Sequence, residues 1–234
     1  MIIARDVIES TFLERPNRFL TVVKLKNGNV VESFLPDPGR LKELLIPGVK
    51  VWVSRANKKG RKTKFDTVAV EYQGTIVCID TRVPNKFVGE LLRGDFIFET
   101  NFEKIKPEFS YKKSRLDFYA EAREKKYLME VKSVTLVEDG VAKFPDAPTI
   151  RGTRHVNELI YSLNEKYVAS LIFVIQRDDA KLFGPKEDTD PDFAAALKKA
   201  KEKGVIIKVF KNKIRLDGEN NLLIEPLQKV GLNF

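Results

Sequence analysis

Short runs in which apolar residues alternate with polar ones occupy roughly the first third of the chain, and longer mixed patterns follow. Phe19–Leu25 and Val30–Leu35 are β-rich, and Lys26-Asn27-Gly28-Asn29 between them carries the Asn-Gly pair of a tight hairpin turn. Leu41 to Leu45, bracketed by Pro38-Gly39 and Pro47-Gly48, predicts a short helix. Val49–Arg55, Phe65–Tyr72 and Thr75–Asp80 predict three more strands. Such closely spaced strands, with a helix between the second and third, predict a small closed Greek-key barrel, and an OB-like barrel is the best-known example that binds nucleic acid.

The period then changes. Pro84 to Arg93 predicts a helix opened by proline, and Phe102–Ile105, Ser114–Ala120 and Tyr127–Val134 predict strands. In Arg151–Lys166 the apolar residues Val156, Ile160 and Leu163 are spaced for one helical face. Val168–Gln176 reads as a buried strand, Pro191–Lys203 as a helix ended by Gly204, and Val205–Phe210 as another strand. Two domains are expected: an OB-like β-barrel over residues 1–81 and an α/β domain over residues 82–234.

Composition narrows the function. Hydrophobic residues make up 43% and charged ones 32%, which predicts a folded core rather than disorder. No apolar run approaches the ~18–20 residues of a membrane span, and the first ten residues lack a cleavable apolar region, so the expectation is a cytosolic protein without membrane contact. A single cysteine, Cys78, excludes an internal disulfide framework and any multi-cysteine zinc module. Lys and Arg outnumber Asp and Glu by 42 to 33, and the resulting +9 points to a polyanion, most simply nucleic acid. The charge is concentrated: Lys50 to Lys64 holds seven basic residues and no acid. No Walker loop or GxGxxG occurs, so no nucleotide cofactor is expected.

The chemistry-bearing stretch is residues 114–133, SRLDFYAEAREKKYLMEVKS. It reads as two strands folded about Ala122–Lys125. A turn centred there sets Asp117 opposite Glu130, Leu116 opposite Val131 and Phe118 opposite Met129. One face is then apolar, and the other gathers Asp117, Glu130 and Lys132. Two carboxylates on neighbouring strands form a hard oxygen pair suited to Mg²⁺ or Mn²⁺. A lysine two residues after the second carboxylate suits a metal-bound water or a developing phosphorane charge. The competing reading is a salt-bridged polar face that simply meets water. The apolar neighbours Leu128, Met129, Val131 and Val134 argue against it, because charges in such a run require a reason.

Asp117 followed by Glu130-Val131-Lys132 on adjacent strands resembles the PD-(D/E)XK nuclease core, with Leu116-Asp117 where that pattern writes Pro-Asp. Four segments together resemble the SfsA (sugar fermentation stimulation protein A) family: Leu35 to Leu41 (LPDPGRL), Thr81 to Asn85 (TRVPN), Met129 to Leu136 (MEVKSVTL) and Phe144 to Gly152 (FPDAPTIRG). The resemblance implies an N-terminal OB-like domain, a C-terminal PD-(D/E)XK nuclease-like domain and sequence-nonspecific DNA binding. Nuclease cores of this kind often add a third acid from the preceding helix, which makes Glu90 a further candidate ligand. A nonenzymatic DNA-binding factor that keeps the nuclease architecture is the alternative function.

DNA contacts are expected from Lys58, Lys59, Arg61, Lys62 and Lys64 in the basic run, and from Arg40 after Pro38-Gly39. Arg151 and Arg154 join them from the start of a helix that Thr149 or Thr153 caps, where backbone N–H groups favour phosphate. His155, the only histidine, is expected to pack or to lie at the surface. Cys78 and Trp52 are expected in the core.

Overall fold

The computed structural model describes residues 1–56 and 60–234. Strand β1 (Ile2–Ala4) is followed by β2 (Ile8–Asn17), β3 (Leu20–Leu25), β4 (Val30–Phe34), β5 (Lys50–Arg55), β6 (Phe65–Tyr72) and β7 (Thr75–Cys78). Strands β2 to β7 form one sheet in the order β4-β3-β2-β5-β6-β7, and pairing of Ser33 and Phe34 with Phe65 and Asp66 closes its first five strands into a barrel. Phe12, Val23, Val51, Val53, Val70 and Val77 fill the inside. Each such buried side chain contributes about 1.5–3 kcal/mol.

Leu41, Leu44 and Leu45 pack into the same core. The helix expected there shrinks to one hydrogen-bonded turn, Leu45 N–H to Leu41 O at 2.9 Å, because Leu41 takes a positive φ of 48° and Pro47-Gly48 stops further winding. Strand β2 was not expected. It carries Glu9, Glu14 and Arg15 and ends in Pro16-Asn17, so its alternation is diluted by charge.

The second domain contains α1 (Val83–Leu91), β8 (Lys104–Tyr111), β9 (Ser114–Ala122), β10 (Lys125–Val134), β11 (Val137–Glu138), β12 (Val141–Phe144), α2 (Ile150–Ser162), β13 (Val168–Ile175), β14 (Leu182–Pro185), α3 (Pro191–Lys203), β15 (Ile206–Leu216), β16 (Leu222–Lys229) and β17 (Gly231–Leu232). Its main sheet runs β1-β16-β15-β13-β10-β9-β8, with β10, β13 and β15 parallel, and a small sheet runs β11-β12-β14-β17. The apolar run of β13 is buried from Ala169 to Ile175, as a central parallel strand covered on both faces must be. Helices α2 and α3 cover one face with Val156, Leu159, Phe193 and Leu197. Helix α1 covers the other with Val83, Phe87 and Val88, joined by Trp52, Val68, Ala69 and Cys78 from the barrel's outer wall. Barrel and sheet therefore share a core.

The first strand amends the expected division of the chain. Residues 1–81 were assigned to the barrel, yet Ile2 and Ala4 register against Leu223 and Leu222 at the edge of the second domain's sheet. No helix among the described residues is long and apolar enough to cross a membrane.

Candidate functional site

The β9–β10 hairpin has the expected register. Ala122 pairs with Lys125, Tyr119 with Leu128 and Phe118 with Met129. The ladder then stops before Asp117 would meet Glu130. Asp117 turns its carboxylate across the gap instead, and its Oδ2 accepts the Val131 N–H at 2.7 Å. A side chain thus takes a donor that the strand would have offered to backbone.

This changes the faces. Leu116 and Tyr119, three residues apart, both lie in the core beneath α2, so strict alternation slips at Asp117. Opposite, Glu108 of β8 takes a positive φ of 53°. The expected all-apolar and all-polar faces are corrected accordingly: both faces are buried, and the charged residues occupy the point where the strands splay. Asp117 Oδ1 accepts from Asn85 Nδ2 at 2.6 Å, which ties it to the first turn of α1. Burial, and next the Glu130 charge, push the Asp117 carboxyl up to about 6, against the Val131 hydrogen bond and the charge of Lys132.

Glu130 points to the opposite side, toward α2, and is 3% exposed. Its Oε1 accepts from Lys132 Nζ at 2.5 Å and from His155 Nδ1 on α2. His155 is 1% exposed, and its Nε2 faces Arg151 Nε at 3.4 Å. An arginine can only donate, so Nε2 is the acceptor and the ring proton lies on Nδ1, where it serves Glu130. Burial alone would raise the Glu130 carboxyl; the Lys132 charge and the His155 hydrogen bond outweigh it, and the group lies below its ordinary range. The other oxygen, Oε2, is buried and has no hydrogen-bond partner among the described residues.

These side chains open onto a cleft of about 380 Å³ between the two domains. Apart from Asp117, every residue lining it comes from the four segments singled out in the sequence: Asp37, Pro38 and Gly39; Thr81, Pro84 and Asn85; Glu130 to Ser133 with Thr135; and Phe144, Asp146 and Arg151. The barrel is latched to the cleft by Thr81 Oγ1 donating to Pro36 O at 2.5 Å and Arg40 N–H donating to Asp146 Oδ2 at 2.9 Å. Gly39 gives these carboxylates room: a β-carbon would stand 2.5 Å from Asp146 Oδ2 and 2.8 Å from Asp37 Oδ1 and would displace them. Asp37 itself is pushed up to about 7, chiefly by burial and further by Asp146, while the Gly39 N–H opposes the shift.

The remaining candidates scatter. Glu90 is exposed and outside the cleft; at 100° per residue it lies about 140° round α1 from Asn85, which takes the position facing Asp117. Thr149 caps α2 by accepting from Gly152 N–H at 3.0 Å, an arrangement worth about 1 kcal/mol. Arg151 lines the cleft, whereas Arg154 lines a neighbouring cavity and donates to Ser114 Oγ at 3.2 Å. Arg40, Lys62 and Lys64 are exposed. Arg61 is ion-paired with Asp66 at 2.5 Å. Lys58 and Lys59 lie outside the described residues. Sequence reasoning missed Asn85, Asp37, Asp146 and the hydrogen bond from His155 to Glu130; the first three lie inside segments already singled out.

A closed OB barrel packed on a restriction-endonuclease-like α/β sheet, with carboxylates at the splayed β9–β10 hairpin, defines the class. The comparisons give the family. Residues 13–79 match the SfsA N-terminal OB domain, and residues 82–218 match the sugar fermentation stimulation protein RE domain. The chain belongs to the SfsA family. It is 41% identical to a sugar fermentation stimulation protein homolog of Desulforamulus reducens, over 88% of this chain and 86% of that one. With the homolog of Moorella thermoacetica it shares 40% over 95% and 96%. A solved structure described as Pyrococcus furiosus SfsA in complex with Ca²⁺ superposes with a TM-score of 0.87 at 28% identity, covering all of both chains.

Proposed function

We propose that the cleft is the centre of a divalent-cation-dependent deoxyribonuclease, carried by a cytosolic protein that binds DNA without sequence preference. The observation that carries this reading is Glu130: a carboxylate 3% exposed that lines the same cleft as Asp117, held on one oxygen by Lys132 and His155, with the other oxygen buried and without a hydrogen-bond partner among the described residues. Leaving such an oxygen unpaired is costly, and a cation is the partner that would repay it. Both Asp117 oxygens keep a lone pair after their hydrogen bonds from Asn85 and Val131, so Asp117 and Glu130 fit as ligands for Mg²⁺ or Mn²⁺. The relative whose structure is described as a Ca²⁺ complex supports a divalent site in this fold.

Bound there, the cation supplies Lewis-acid polarisation of a phosphate oxygen and a more acidic water. The protein's own residues do the rest. Lys132, fixed by Glu130 at 2.5 Å, keeps two N–H groups for the negative charge that builds on phosphorus. Arg151 at the cleft wall, with the exposed Lys62, Lys64 and Arg40, meets the backbone through charge alone, which gives affinity without sequence reading.

The test is a plasmid-nicking assay with Mg²⁺ or Mn²⁺, an EDTA control, and Lys132→Ala. Cation-dependent nicking by the parent and none by the variant is expected. A parent that binds DNA but never cuts it would support the binding factor that only retains the nuclease fold.

A further inference from the structure

Away from the cleft, the barrel carries an aromatic surface that the catalytic reading does not use. Phe19, 49% exposed, lies nearly parallel to Phe34, with ring planes 15° apart and centroids 6.3 Å apart. The Arg61 guanidinium stands 5.2 Å from the Phe34 ring centre and is fixed there by Asp66. Together with Asn17, Glu32 and Lys62 they line an open groove of about 670 Å³. A single exposed phenylalanine needs no explanation. Two near-parallel ones beside a positioned guanidinium and an exposed lysine offer aromatic and guanidinium surface next to positive charge, with Glu32 the one acid on the rim.

We propose that this groove is a base-stacking site for single-stranded nucleic acid, from which the strand runs into the cleft. The inference rests on the nucleic-acid reading above and adds the form of the substrate. Aromatic faces and Arg planes stack on any base whose own face is uncovered, while the basic side chains hold the phosphates. In a duplex those faces are covered by neighbouring pairs, so a stacking platform selects unpaired strands.

One chain segment links the groove to the cleft: Phe34 lines the first and Gly39 the second. Phe34 is five residues from Gly39, at most ~18 Å of extended chain. Between them, the Arg15 guanidinium donates to the carbonyls of Arg18, Asp37 and Arg40 at 2.8, 2.9 and 2.6 Å. That clamp holds the backbone at Arg18 and Arg40, whose exposed side chains add positive charge to the same domain for a phosphate backbone to meet.

The test is fluorescence anisotropy in EDTA, which blocks cleavage, with labelled oligo-dT, oligo-rU and a mixed-sequence duplex of equal length. The parent is expected to bind the single strands more tightly than the duplex. Phe19→Ala and Phe34→Leu should each weaken single-strand binding about tenfold with little change in salt dependence, and Phe34→Tyr should restore it. Phe34→Leu keeps an apolar side chain in the barrel wall, and melting curves confirm that the variants fold. Tighter binding of dT than rU, or the reverse, identifies which strand the groove takes. Variants that bind single strands like the parent, a parent that prefers duplex, or a Phe19→Ala effect on oligomeric state alone would each overturn the stacking site while leaving DNA binding intact. A parent that binds none of the three probes removes the nucleic-acid reading with it.

Discussion

His155 Nδ1 donates to Glu130 Oε1 across the interior, joining helix α2 to strand β10 through two side chains that are 2% and 4% exposed. That bond fixes which way the carboxylate points and leaves Oε2 without a hydrogen-bond partner among the described residues. His155→Ala removes the donor and leaves a buried acceptor short of a partner, a loss of about 1–3 kcal/mol. His155→Asn puts an amide N–H near the vacated Nδ1. Melting and nicking are expected to fall together in the alanine variant and to recover substantially in the asparagine one. Equal behaviour of the two would mean that the ring acts through its volume.

Asp37 makes a pH-dependent contribution at the domain junction. Its folded value of about 7 lies above the ordinary 3.8, so the folded protein holds a proton that the unfolded chain gives up. Stability from this group is complete below the unfolded value and is lost as pH rises through about 7. Asp37→Asn keeps an oxygen to accept the Gly39 N–H and removes the titration. Between about pH 5 and pH 8 the parent's melting temperature should fall by an amount equivalent to a few kcal/mol, and the variant's should fall less. Parallel pH profiles for the two proteins would contradict the assignment.

The basic residues separate into two groups. Lys62 and Lys64 are exposed, and replacing both by Ala should weaken binding to unrelated DNA alike and reduce the salt slope by ~0.9 per lost contact. Arg61 is paired with Asp66, which also accepts from Arg82 Nη2 at 2.9 Å, so Arg61→Ala should act on barrel stability as well as on affinity. A salt titration together with melting curves distinguishes the two. An unchanged slope in the double lysine variant would make that stretch a solvated loop.

The elements with strong local signals were legible in the sequence. Phe65–Tyr72 and Pro191–Lys203 occur with the bounds that patterning predicts, and the hairpin about Ala122–Lys125 has its predicted register. What failed was set by tertiary structure. Asp117 was placed opposite Glu130 by counting along two strands, but its carboxylate captures the Val131 N–H and ends the ladder one pair earlier. Glu90 was the acid in sight on α1, yet helical geometry gives the inward position to Asn85. His155 carried no local mark of its hydrogen bond, because its partner Glu130 lies 25 positions away. Strand β1 joins a sheet whose other strands begin more than a hundred residues later, a pairing that no local period encodes.

The most direct measurement of the central claim is the melting temperature of the parent and of Glu130→Gln, each in EDTA and in saturating Mg²⁺ or Mn²⁺. The glutamine can keep its oxygen toward His155 and Lys132 but gives up the charge that Lys132 pairs with, so without cation it should fold and melt somewhat lower than the parent. A ligand at a hundred times its dissociation constant stabilises the native state by ~2.7 kcal/mol, which for a chain of this length corresponds to a rise of several degrees. The account predicts that rise for the parent and none for Glu130→Gln. A parent curve that cation leaves unmoved, or a glutamine variant that responds as the parent does, would contradict it.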